Sequence, residues 1–208
     1  MQTKGVLVVV SGFSGAGKGT VMKALLNKYD NYALSVSATT RKPRPGEENG
    51  REYFFLTESQ FEDMIKNDEL IEHARYVDHY YGTPKKYVEE KMAAGKDVIL
   101  EIEIQGALNI KKKFPDALLV FIVPPTAEDL KKRLTGRGTE SAEVIEKRLR
   151  RAAEESDGMD SYDYIVVNDD IDTCVEDLHS LIRSSHFKES ANTDLVARMK
   201  QELHDMTK

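Results

Sequence analysis

The chain has 208 residues, enough for one domain with a sizeable core and a small inserted lobe or two, and short for two independent domains. Its 30 basic and 36 acidic residues give a formal net charge of −6, which argues against broad binding to nucleic acid or to a membrane surface and leaves room for a local basic site. The single cysteine, Cys174, excludes an intramolecular disulfide and a cysteine cluster for zinc.

Five scattered histidines, at positions 73, 79, 179, 186 and 204, lack metal-ligand spacing. The amino terminus has no signal-peptide pattern, and no apolar run approaches the length of a membrane span, so a cytoplasmic location is expected.

The first element in the chain is the run Val6–Val10, apolar without alternation, as in a parallel strand buried on both faces. It meets Gly12-Phe13-Ser14-Gly15-Ala16-Gly17-Lys18, which matches G-x-x-x-x-G-K. In that loop backbone N–H groups wrap a polyphosphate and the lysine reaches the β- and γ-phosphates. Thr20–Leu26 suits a helix whose N-terminal dipole also faces the phosphates. Gly19 and Thr20 follow Lys18, where the pattern has Ser or Thr touching magnesium directly after the lysine. Either Thr20 offers its hydroxyl to Mg2+ or the ion is held mainly by water and phosphate.

The segment Thr39–Gly50, rich in proline, charge and glycine, breaks the strand and helix alternation. Short strands near Tyr53–Leu56 and Leu70–His73 bracket a helix opened by Thr57-x-x-Gln60. This excursion predicts a small lobe beside the phosphate site, suited to a second substrate. Further on, Pro84 precedes a helix over Tyr87–Ala94, and Thr126-x-x-Asp129 opens another over Leu130–Leu134. Val98–Ile104, Leu118–Val123 and Tyr164–Val167 read as buried strands. The alternation predicts a parallel α/β sheet.

Leu134–Arg151 joins Gly136-Arg137-Gly138 to a basic helix and reads as a mobile cover, with Arg133, Arg137 and Arg148 as its functional candidates. Lys147 and Arg151 read as a solvated helical face with i,i+4 pairs such as Glu143 with Lys147. In the tail, Phe187–Lys208, the helical spacing of Leu195, Val196, Met199 and Leu203 predicts an amphipathic helix docked on the domain.

Six motifs resemble the guanylate kinase family from about Val6 to Ile182: SGFSGAGKGT, SVSATTRKPRPGEENGREYFF (35–55), LIEHARYVDHYYGTP (70–84), ILEIEIQGA (99–107), FIVPPTAEDLKKRLTGRGTES (121–141) and VVNDD (166–170). The resemblance implies a P-loop NTPase-like parallel core of about 1–34, 84–133 and 152–184. It adds an inserted nucleoside-monophosphate lobe of about 35–83, a helical lid of about 134–151 and an unassigned tail from 185 to 208.

It further implies transfer of the γ-phosphoryl group of ATP to GMP, and to dGMP, with Mg2+. In the family pattern Arg41, Arg44, Tyr53 and Tyr81 clamp the GMP phosphate, a task for which guanidinium forks suit phosphate oxygens. Ser37 and Thr83 fall near guanine O6, and Glu72 with Glu103 near its N1–H and 2-amino donors. Adenine offers no N1 proton, so AMP would leave a carboxylate unpaired.

Glu101 and Glu103 stand where many members carry Asp-x-Asp, which leaves a direct or a water-mediated contact open for Glu103. Glu101 is a candidate to orient magnesium waters, with helix capping or a salt bridge as the plainer alternative. Arg133, Arg137 and Arg148 match the lid arginines, and Asn168 matches the residue beside the adenine. A monophosphate kinase for another base, and a non-catalytic phosphopeptide-binding relative, are the rival readings. The middle segment opposes the first, and the complete glycine pattern, Lys18 and the lid arginines oppose the second.

Overall fold

The computed structural model describes residues 4–76, 78–136 and 141–208. The first strand, β1 (Leu7–Gly12), lacks alternation because both its faces are covered: Val8 and Val10 join one hydrophobic cluster, Leu7 and Val9 another, and all four are buried. Helix α1 (Lys18–Lys28) follows the glycine-rich loop and buries Val21, Met22 and Leu25 in the first cluster. Each such side chain contributes about 1.5–3 kcal/mol relative to exposure. The chain then forms β2 (Tyr32–Leu34) and leaves the core.

The excursion is a sheet of its own. It contains β3 (Ser37–Thr39), β4 (Tyr53–Phe55), α2 (Glu58–Lys66), β5 (Leu70–Tyr76) and β6 (His79–Pro84), with the strands in the order β4-β3-β6-β5. Strand β6 runs antiparallel to both its neighbours, and β3 pairs with β4 in parallel. Thr57 and Gln60 form the expected capping box: the Thr57 N–H donates to Gln60 Oε1 at 2.9 Å and the Gln60 N–H to Thr57 Oγ1 at 3.2 Å. A small separate core of Ala38, Phe61 and Leu70 holds this sheet to α2, with Phe61 stacked on Tyr80 at 5.1 Å. Strands β2 and β3 escape sequence reading because they have only three residues each, and β6 (HYYGTP) because it has no apolar alternation. Pairing with its neighbours makes it a strand.

The chain returns through α3 (Lys85–Ala93), β7 (Asp97–Glu101), α4 (Ile104–Lys113), β8 (Leu118–Val123), α5 (Ala127–Thr135), α6 (Ala142–Ser156), β9 (Tyr164–Val167) and α7 (Ile171–Ser185). Strands β2-β7-β1-β8-β9 make a wholly parallel five-stranded sheet. Residues of α1 and α7 pack on one face and residues of α3 and α4 on the other. The chain crosses from one side of β1 to the other, which opens a crevice at the carboxyl end of β1, the usual ligand position in such sheets.

Three sequence expectations change. The strand expected over Val98–Ile104 stops at Glu101, and Ile104 already belongs to α4, with Glu103 as its N-cap. Strand β9 is not buried as a whole: Tyr164, Ile165 and Val167 are 38–49% exposed and only Val166 is covered. It is an edge strand, paired on one side by β8 alone, with Val166 in the cluster that α7 shares. The tail does form a helix, α8 (Thr193–Asp205), but it has no buried residue, and Leu195, Met199 and Leu203 are 42–57% exposed. Its apolar stripe is therefore not docked into the core. Among the described residues no helix is long and apolar enough to cross a membrane.

Candidate active site

The phosphate loop is set by its glycines and by what leans on them. Gly15 and Gly17 have φ of +95° and +91°, a region that residues with a Cβ rarely adopt, and a Cβ on Gly15 would meet Leu134 Cδ2 at 2.8 Å. Phe13 anchors the loop edge-on to Phe121 at 5.1 Å, and Phe121 meets Tyr162 in the same way at 5.0 Å. Gly17 occupies the N-cap of α1 and supplies no side-chain cap, and among the described residues the N–H groups of Lys18 and Gly19 have no acceptor, while those of Thr20 and Val21 donate to Gly17 O. Lys18 Nζ donates to the carbonyls of Gly12 at 2.6 Å and Phe13 at 3.3 Å, folded over its own loop. Ser14 is exposed, as are Gly19 and Thr20, and a Cβ on Gly19 would meet nothing within 4 Å. Gly19 is thus not required by packing.

Arginines from the next two helices reach this loop. Arg133 on α5 donates Nη1 to the Ala16 carbonyl at 3.3 Å and Nη2 to the Asn168 carbonyl at 2.7 Å. Arg148 on α6 approaches Ser14 Oγ at 3.3 Å. Asn168, buried at the end of β9, gives its side-chain N–H to Ala16 O at 2.7 Å. Arg137 lies outside the described residues.

Beside the loop lies a cleft of about 1140 Å³. Gly12, Ser14 and Lys18 line one end, Ser37 and Tyr53 of the four-stranded sheet form a wall, Glu101 and Glu103 line it from the end of β7, and α6 faces it with Lys147, Arg148 and Arg151. Burial pushes the Glu101 carboxyl up, the Lys18 charge opposes that shift and Glu103 adds to it. Glu101 is nonetheless open to solvent, as a group at the base of a wide cleft would be. No helix cap or ion pair of Glu101 occurs among the described residues. Nor do three or more His, Cys, Asp or Glu side chains gather there to hold a metal ion. Glu101 and the Ser14 hydroxyl line the cleft at the loop, with the exposed Thr20 hydroxyl at the start of α1, a sparse oxygen set that suits a cation delivered on a nucleotide and not a protein-built cage.

The four-stranded sheet and its loops carry most of the groups expected to meet an acceptor, and of these Ser37 and Tyr53 line the cleft. Arg41 makes a two-pronged pair with Glu47, Nη1 to Oε2 and Nη2 to Oε1 at 2.9 Å each, with the Tyr53 and Phe55 rings 5.3 and 5.7 Å from its guanidinium carbon. That bond raises the Arg41 pKa and holds the Glu47 carboxyl below its ordinary value. Glu47 also accepts from the Arg44 N–H at 2.7 Å, while the Arg44 side chain stays exposed. Tyr81 packs edge-on to Tyr53 with ring centres 6.1 Å apart.

Glu72 is 6% exposed, and the buried Thr83 donates its hydroxyl to Glu72 Oε1 at 2.8 Å. Glu72 lies against the first turn of α4: a Cβ on Gly106 would stand 3.2 Å from Oε2. Burial raises the Glu72 pKa, and the Thr83 hydrogen bond and the Lys113 charge oppose that rise.

Two functional candidates were not found by sequence reasoning. Arg151, expected on a solvated face, donates Nη2 to Glu103 Oε2 at 2.9 Å and Nε to Glu155 Oε1 at 2.8 Å. Its signal was available, since it stands three residues after Arg148 and shares that side of α6. Glu47 carried none beyond its place three residues after Arg44.

A doubly wound parallel sheet, a glycine-rich loop closing on a helix N-terminus and a lysine folded over that loop define a P-loop nucleotide-binding protein. The guanylate kinase family model matches residues 4–185. The chain is 47% identical over 202 residues to a guanylate kinase of Caldanaerobacter subterraneus subsp. tengcongensis, covering 97% of this chain and 98% of that one. It is 50% identical over 188 residues to that of Lactococcus lactis subsp. lactis, covering 90% and 92%. The crystal structure of guanylate kinase from Anaplasma phagocytophilum superposes with a TM-score of 0.72 at 32% identity, over 90% of this chain and 89% of that one. The chain belongs to the guanylate kinase family.

Proposed function

We propose that this chain transfers the γ-phosphoryl group of ATP to GMP, and to dGMP, giving ADP and GDP or dGDP, with the cytoplasm as its setting. One observation carries the reading: the Lys18 loop and the acidic residue Glu103 line a single cleft, and the buried Glu72–Thr83 pair lies against the α4 terminus that Glu103 opens.

The acceptor phosphate is itself the nucleophile, so the protein needs no side-chain base and no covalent intermediate. Its task is to bring two anions in line. Arg41 and Arg44, with Tyr53 and Tyr81, hold the GMP phosphate. Ser37 and Thr83 stand near guanine O6, and Glu72 and Glu103 accept from N1–H and the 2-amino group. Lys18 and the arginines of the cover, Arg133, Arg137 and Arg148, balance the charge that develops on the migrating group. Magnesium carried in on ATP supplies further charge neutralisation, with Glu101 and Thr20 as the residues to hold its shell, directly or through water.

The four-stranded sheet (about 35–83) is the acceptor lobe and 134–151 the lid, whose closure excludes water that would otherwise hydrolyse ATP. Coupled ADP release with GMP, dGMP, AMP, CMP and UMP tests the assignment. GMP turnover is expected to lead, and AMP turnover well above it would overturn the guanine reading.

A further inference from the structure

In this structure the Asn168 side chain is committed to the phosphate loop. Its backbone N–H is tied to Val123 O at the end of β8 at 2.7 Å, and its side chain is 2% exposed. Only the amide nitrogen can donate to a carbonyl, so the 2.7 Å contact with Ala16 O settles which way the amide faces. Arg133 gives the same carbonyl a second donor at 3.3 Å and closes the triangle through Asn168 O at 2.7 Å. Space confirms the fit: a Cβ on Gly17 would lie 2.4 Å from Asn168 Nδ2.

We propose that Asn168 is a positioning residue of the phosphate loop, acting through the Ala16 carbonyl with Arg133 as partner. The reason is peptide geometry. A trans peptide is planar, with its C=O and N–H pointing in opposite directions. Pinning Ala16 O against β9 therefore aims the Gly17 N–H the other way, and that N–H has no protein acceptor among the described residues. Asn168 and Arg133 thus fix one of the donors that wrap the polyphosphate, and the anchor runs through the buried end of the sheet. A preset donor is worth more to an anion than one that must be ordered on binding. The group Asn168 serves is the polyphosphate, whatever base it carries.

This inference rests on the ATP-site reading above, and its test separates the two. Asn168→Ala and Asn168→Asp in the full chain are compared with the parent in four measurements: calorimetric binding of inorganic tripolyphosphate, KM for ATP, preference for ATP over inosine triphosphate, and calorimetric binding of GMP. Tripolyphosphate affinity is expected to fall about tenfold in the alanine variant, the loss of one buried hydrogen bond. The fall should be larger in the aspartate variant, whose carboxylate faces a carbonyl. KM for ATP should rise in step, with the purine preference and GMP affinity unchanged.

Parent-like tripolyphosphate affinity in a variant that still binds GMP overturns the proposal, as does a loss confined to the purine preference. Should the alanine variant fail to fold, Asn168→Ser keeps a donor at the position. It should retain part of the affinity, and an affinity equal to the parent's with ATP preference lost again counts against the proposal. A parent protein that binds tripolyphosphate but makes no GDP sinks the kinase reading and leaves this one standing.

Discussion

Arg151 on α6 joins Glu103, the N-cap of α4, at 2.9 Å, and so one guanidinium links α6 to the acidic side of the cleft. The same group holds Glu155 at 2.8 Å, and burial with repulsion from Glu103 pushes the Glu155 carboxyl up against the pull of Arg151. The Glu103 side chain is 70% exposed, so the bridge adds little to stability. Its consequence is geometric: it fixes the position of the Glu103 carboxylate, the group proposed to meet the acceptor base.

Replacing Arg151 by alanine should therefore act on the acceptor alone. KM for GMP is expected to rise about fivefold, or ~1 kcal/mol, with KM for ATP and the melting temperature close to the parent's. Steady-state kinetics in both substrates, alongside a thermal melt, check it. An unchanged KM for GMP would make the bridge idle.

Glu72, proposed above to read the base, is a buried carboxyl. Burial raises its pKa above the ordinary 4.5, so the folded chain holds the proton more tightly than the unfolded one. Its contribution to stability is present below the unfolded value and is lost as pH rises through the raised folded value. Glu72→Gln should melt above the parent at neutral pH, with the gap closing toward about pH 4. In the same variant kcat/KM for GMP should fall by about a hundredfold or more while ATP binding is spared. Melts across that pH range and a two-substrate assay read both arms, and an equal loss for ATP and GMP would contradict the role.

Glu47 grips both Nη atoms of Arg41 and also the Arg44 N–H, so it braces the two arginines assigned to the acceptor phosphate. A neutral amide keeps the shape and loses the charge-assisted pairing. Glu47→Gln is expected to raise KM for GMP roughly five- to tenfold and to leave KM for ATP alone. A lower KM for GMP would mean that Glu47 competes with the phosphate for Arg41.

Helix α8 buries no residue, and the family match ends at residue 185. Removing 193–208 should leave kcat/KM for both substrates within about twofold and the melting temperature within ~2 °C. His186 must be kept, because its Nε2 meets the buried Asp97, which also accepts from the Val6 N–H. A large fall in melting temperature would show that the exposed stripe is covered in solution.

Local rules made part of this protein legible in its sequence. The spacing of Gly12, Gly17 and Lys18, the two-sided burial of β1, and the caps at Thr57 and Thr126 are properties of a few adjacent residues, and each stands in the structure as read. The edge position of β9 was not legible, because an apolar run does not say how many neighbours it will have. Nor were the contacts that join distant segments: Arg151 with Glu103 spans 48 positions and Asn168 with Ala16 spans 152. Such pairings depend on how the sheet stacks its helices and where two loops meet at its carboxyl edge. No period or motif within one segment can encode them, and only the packed chain brings those charges and carbonyls within hydrogen-bond reach.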